Sequence, residues 1–194
     1  MLLEQDFYIR NTKRVAIDLL GKILFYKNSD GVISCGRIVE TEAYLGIEDP
    51  ACHTFGNRRT ARTENMYLNG GHSYVYVIYG IYSCLNVVTQ SEKQPEAVLI
   101  RALEPVPKPQ VKVLKNQLHT NGPGKLCRAL GISRKHNGLK LWKKKSGLWI
   151  EEDGQKVNPK NIAKVPRIGV EYAGDAALWP LRFYIRDSPW ISRK

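Results

Sequence analysis

Glu40, Glu42 and Tyr44 recur at every second position within Gly36-Arg37-Ile38-Val39-Glu40-Thr41-Glu42-Ala43-Tyr44-Leu45-Gly46. β-branched Ile38, Val39 and Thr41 between glycines make this stretch a strand. Its two-residue side-chain period turns both carboxylates and the phenol to one face, with Val39, Thr41 and Ala43 on the other. A carboxylate held on a strand can take a proton from water, or stabilise a cation that develops as a bond breaks. The same pattern also describes a solvated sheet face carrying its salt bridges, and this segment alone leaves both readings open.

Charge narrows what such a face would meet. Lys and Arg number 30 against 18 Asp and Glu, a formal charge of +12 over 194 residues. That excess favours a polyanionic partner, either nucleic acid or a membrane surface. Apolar runs are interrupted by charge or glycine, so no bilayer-spanning helix is expected. Met1-Leu2-Leu3-Glu4-Gln5-Asp6 lacks the basic then apolar order of a signal peptide. A cytoplasmic protein is therefore expected, with one domain over 1–194 and a real core from its 43% hydrophobic residues. Cys35, Cys52, Cys84 and Cys127 are widely spaced and form no C-x-x-C pair. Buried thiols are expected in place of a disulfide framework. Cys52, His53, His72 and Cys84 lack the paired spacing of a zinc site, and no metal or other cofactor is expected.

The elements that must position these groups follow from periodicity and turn residues. Asn11-Thr12 caps a short helix whose Val15, Ala16, Leu19 and Leu20 share a face, ended by Gly21. Lys22–Lys27 and Val32–Tyr44 are strands joined by Ser29-Asp30-Gly31. A long loop from Leu45 to Gly71 carries Asp49-Pro50, His53 and the basic run Arg58-Arg59-Thr60-Ala61-Arg62; loops of this length are usually functional. Ser73–Tyr79 and Ser83–Thr89 form a hairpin with aromatic residues at its turn, and Ala97–Leu103 is a strand carrying Arg101. Pro105, Pro107 and Pro109 begin a linker and a helix to about His119. Gly122-Pro123-Gly124 opens a helix over Lys125–Leu130, closed by Gly131. Hairpins are expected around Lys143–Gly147 and Glu152–Gly154, then a strand over Leu181–Arg186. The fold class is α+β on a largely antiparallel sheet.

Tyr79 and Tyr82 at a hairpin turn suit a wedge that replaces a base in a duplex stack; equally, the hairpin could pack its rings into the core. Arg58, Arg59 and Arg62 could bind phosphates by charge, and the Gly124–Lys125 backbone by its free N–H groups. Lys125 could alternatively act as an amine nucleophile that forms a Schiff base and cuts the strand.

Several motifs together resemble the alkyladenine (3-methyladenine) DNA glycosylase family of the mammalian type. They are Gly36–Gly46, Asp49-Pro50-Ala51-Cys52-His53, Tyr74–Gly80, Cys84-Leu85-Asn86, Leu99–Pro105, Gly122–Cys127 and Pro180–Trp190. They stand in family order and cover most of the chain. The resemblance implies a base-excision-repair enzyme that flips a damaged purine from double-stranded DNA and hydrolyses its N-glycosidic bond. It implies that Glu42 is the general base and that Arg101, with the backbone near Val170, helps to hold the water. Tyr44 would stack on one face of the flipped base, with His53 and Tyr76 against the other. Asn86 would clash with the exocyclic amino group of undamaged guanine, and Tyr79 would fill the gap in the duplex. Hydrolysis by water implies no strand cleavage, leaving Lys125 as a phosphate contact. A monomer without cofactor or membrane partner is expected.

Overall fold

The computed structural model describes residues 1–106 and 119–194. Most of the helix expected before His119 lies outside the described residues. Helix α1 (Thr12–Asp18) is capped by Asn11, whose side chain accepts the Arg14 N–H at 3.2 Å. The chain then turns at Gly21, with φ +85°, a backbone region open chiefly to glycine. It enters β1 (Ile23–Lys27) and returns as β2 (Ile33–Tyr44).

Strand β2 is the spine of an eight-stranded sheet. One edge pairs with β5 (Glu96–Pro105). The other pairs first with β1, over Ile33–Arg37, and then with β8 (Arg182–Ile185), over Glu40–Glu42. The hairpin of β3 (Ser73–Ile78) and β4 (Tyr82–Thr89) extends the sheet beyond β5. Strand β6 (Leu148–Glu151) lies on the outer edge of β1, and β7 (Ile162–Val165) pairs with β8. Every pairing is antiparallel, and with α1 and α2 (Pro123–Leu130) the class is α+β.

The register of β2 against β5 breaks between Ile38 and Thr41 and then resumes. Ile38 and Leu103 on one side of the break, and Ala43 and Ile100 on the other, all enter one core. Strict alternation would place Ile38 beside Glu40. The break flips the parity of both strands, so Glu40, Glu42 and Arg101 turn away from the core in the middle of otherwise core-forming strands. Val15, Ala16 and Leu19 of the first helical segment, with Leu126 and Leu130 of α2, close the core from the opposite side.

The expected hairpins around Lys143–Gly147 and Glu152–Gly154 do not form. Lys144–Ser146 is a single 3-10 turn ended by Gly147, and β6 pairs with distant β1 rather than with a neighbour. The open edge of β1 captures it, and Lys22–Glu152 and Arg37–Asp153 ion pairs fix its far end. The long loop before β3 contains three 3-10 turns: Gly46–Glu48, Phe55–Asn57 and Glu64–Tyr67.

Candidate active site

Arg101 reaches from β5 between the two carboxylates of β2. Its Nη1 lies 3.1 Å from Glu42 Oε1 and its Nε 3.3 Å from Glu40 Oε1. Both glutamates are fully buried, which rules out the solvated-face reading. Two buried carboxylates demand compensating charge. Arg101 supplies one, and Arg182 of β8 supplies the other by donating from Nη1 to Glu40 Oε1 at 2.9 Å. Arg37 pairs with Asp153 instead of Glu40.

The identity of their partners separates the two glutamates. Glu40 takes Arg182 and the Ser192 hydroxyl on Oε1, with Arg101 Nε close by, and the Ser192 N–H on Oε2. Glu42 takes Arg101 and the Ile168 N–H on Oε1, and the Tyr44 hydroxyl on Oε2 at 2.8 Å. One position on Oε2 stays open. Burial, then the Glu42 charge, push the Tyr44 phenol well above its ordinary range, so Tyr44 remains a donor.

The three donors of Glu42 all line a cleft of about 450 Å³, and His53, Tyr76, Asn86 and Tyr79 line it too. The His53 ring meets Tyr76 edge to face, 4.5 Å between centroids, and its Nδ1 lies 2.9 Å from the Tyr74 hydroxyl. Arg62 Nη2 sits 3.4 Å from His53 Nε2. Arginine only donates, so Nε2 accepts and the ring proton rests on Nδ1. Burial first, then the Arg62 and Arg58 charges, lower His53 to about 4, so the ring is neutral at neutral pH. A neutral ring does not repel a cationic guest. Asn86 donates from Nδ2 to the Tyr74 and Cys84 carbonyls at 3.1 and 3.4 Å. That fixes the amide as a rigid wall of the cleft.

Tyr79 stands at the β3–β4 tip, 83% exposed at φ +53°, and Ile81 beside it is 73% exposed. The tip therefore does not pack into the core, although Tyr74 lower in β3 does. Tyr82 rests on the start of α2: a Cβ at Gly124 would lie 3.1 Å from the Tyr82 Cβ, so glycine allows the helix end to approach. Lys125 is exposed, its Nζ bonded to Asn121 at 3.2 Å, and among the described residues no lysine lines the cleft. Of the three loop arginines, Arg58 is exposed, Arg59 pairs with Glu64, and Arg62 lies 5.2 Å over the Tyr76 ring. Arg62 thus joins the cleft wall.

Four contributors were not foreseen. Ile168 supplies the N–H on Glu42, and Val170, whose backbone the resemblance puts near the water, lines the cleft. Tyr172 forms part of the cleft's lip, its hydroxyl on the Ala51 carbonyl. Asp49 and Arg167 form a fully buried ion pair, with the Arg167 guanidinium 4.8 Å over the Tyr44 ring. Ser192 completes the shell of Glu40. Asp49 stands in the Asp49–His53 motif, but its partner was not legible; the others come from 166–172 and 192, where no period of two or 3.6 marks a face. The four cysteines are buried and form no disulfide. Among the described residues no His, Cys, Asp or Glu group could hold a metal ion, and no helix is long and apolar enough to cross a membrane.

The family model described as methylpurine-DNA glycosylase matches residues 6–189. A Bdellovibrio bacteriovorus protein named "Putative 3-methyladenine DNA glycosylase" is 59% identical over 194 residues, covering all of both chains. Proteins of the same name from Methanocella arvoryzae and Clostridium novyi are 47% and 44% identical. They align with 100% and 99% of this chain, and with 96% and 98% of their own lengths. The chain therefore belongs to the methylpurine-DNA glycosylase family, DNA-repair enzymes that hydrolyse N-glycosyl bonds.

Proposed function

We propose that this chain binds a methylated purine nucleotide flipped out of double-stranded DNA and cleaves its N-glycosidic bond with a water held by Glu42. The single observation that carries this is that the three groups holding Glu42, Arg101, Tyr44 and the Ile168 N–H, all line one cleft, whereas Arg182 and Ser192, which hold Glu40, do not. The purine ring lies against Tyr44 on one face and against His53 and Tyr76 on the other, and the Asn86 amide excludes an exocyclic amino group. A ring-methylated purine is cationic, so it stacks well on tyrosine faces and leaves as a neutral base. The bonding pair of the C–N bond goes to the base, and the sugar carbon becomes electron-poor. The water oxygen adds there while its proton passes to Glu42, and Arg101 keeps the carboxylate in place. Tyr79 fills the space left in the duplex. All of these groups come from one chain, so one copy holds a complete site.

Free-base release from methylated and hypoxanthine-containing duplexes, followed by alkali, tests this reading. Base release with strand breaks only after alkali supports it. Breaks before alkali would transfer the chemistry to a lysine, and no release from any damaged duplex would leave only a DNA binder. The hairpin tip gives a second test. Aromatic stacking on a base is worth about 1–3 kcal/mol, so Tyr79→Ala should weaken capture of a lesion in duplex by roughly 10- to 100-fold. Capture of a free methylated nucleoside should change far less. Equal losses on both would show that the ring is no wedge.

A further inference from the structure

Arg101 is held at three points, and the last comes from the end of the chain. Nη1 meets Glu42, Nε lies within ion-pair distance of Glu40 without a hydrogen bond, and Nη2 donates to the Ser192 hydroxyl at 3.3 Å. That hydroxyl in turn donates to Glu40 Oε1 at 2.9 Å, while the Ser192 N–H donates to Glu40 Oε2 at 2.6 Å. One hydroxyl thus gives its proton to the carboxylate and offers a lone pair to the guanidinium, a polarity that satisfies both neighbours. Two flanking contacts fasten the segment: Ile191 is buried, and the Arg193 carbonyl accepts from Arg182 Nη1 at 2.8 Å. We propose that Ile191-Ser192-Arg193 is a positioning clamp, in which Ser192 sets the plane of the Arg101 guanidinium and, through it, the aim of Glu42. Ser192 does not line the cleft and acts as a positioning residue. Without its hydroxyl, Nη2 loses its anchor: the guanidinium plane tilts through the side-chain torsions, and flips about Nε–Cζ, which exchange the two Nη groups, become easier. Glu42 then keeps its charge but loses its direction.

The clamp rests on the proposed role of Glu42, so its test carries one readout that needs no catalysis. Rotation of the Arg101 guanidinium, followed by NMR exchange between its two Nη groups, should be slow in the native chain. It should be roughly 10- to 100-fold faster in Ser192→Ala, the scale of one hydrogen bond to a charged group. Single-turnover base release from a methylated duplex should slow by roughly 10- to 100-fold. Lesion-duplex affinity and Tm should hold, and Ser192→Thr should restore both rotation and rate. Ending the chain at Ile191 removes the Ser192 and Arg193 contacts together and should release base at least as slowly as Ser192→Ala. Equal rotation in native and Ser192→Ala chains would overturn the clamp, whether or not the native chain releases base. So would a native release rate in Ser192→Ala, or a slowdown matched by equal losses of affinity and Tm. A native chain that releases no base but shows the Ser192-dependent rotation would instead sink the hydrolytic reading and leave the clamp standing.

Discussion

Glu42→Gln should cut base release by about 10³-fold, within the 10²- to 10⁴-fold contributed by a positioned general base, while lesion binding stays near native. The local geometry fixes how the amide sits. Its Nε2 cannot replace Oε1, because Arg101 and the Ile168 N–H both donate to that atom. The amide nitrogen must take the Oε2 position, where Tyr44 can reverse its hydroxyl to accept. A donor then faces the open position that Glu42 offers to water, so a water bound there can no longer give up its proton. The stacking walls of His53, Tyr76 and Asn86 do not contact this atom and should be unchanged. Single-turnover release beside equilibrium binding to the same lesion duplex measures the split. Native release in Glu42→Gln would remove Glu42 from the chemistry.

Much of this site was legible because side-chain alternation put Glu40, Glu42 and Tyr44 on one face, and all three do converge on one network. The strands from β1 to β5 follow from β-branched runs bounded by turn residues, and their ends differ from expectation by one or two residues. Local sequence could not show that β2 and β5 change parity together at Ile38–Thr41, because the break lies in the pairing of two strands. Nor could it rank the carboxylates by how many of their partners line the cleft. That ranking depends on Ser192 and Arg182, which are far from Glu40 in sequence and reach it only through the fork where β8 takes over the edge of β2. The roles of Arg58, Arg59 and Arg62 were legible only as charge. The structure places them in three different settings: solvent, an ion pair and the cleft wall.

Asp49→Asn should lower stability by about 3–5 kcal/mol, the usual cost of leaving one partner of a buried ion pair uncompensated. For a chain of this length that is a fall in Tm of roughly 6–20 °C. Asp49 and Arg167 are both fully buried and join by two Nη–Oδ contacts. Asp49 also accepts the Leu45 and Ala51 N–H groups, each at 3.0 Å, while Arg167 donates to the Ala43 and Ala176 carbonyls. One ion pair therefore ties the end of β2, the loop that carries His53, and the 3-10 segment Glu171–Leu178. Asparagine keeps the shape but turns one amide donor toward a guanidinium or a backbone N–H, and removes the charge that neutralises Arg167. Arg167→Met on its own should also be costly, since it leaves the Asp49 carboxylate buried. The double variant should lose less than the two single losses summed, a coupling of about 1–3 kcal/mol in a double-mutant cycle. Because Arg167 lies over the Tyr44 ring, the single variants should also loosen the wall that meets the purine. Thermal and denaturant unfolding of the four chains decides the matter. A loss under about 1 kcal/mol in Asp49→Asn, the scale of an exposed pair, would show that this contact does not hold the cleft wall to the sheet.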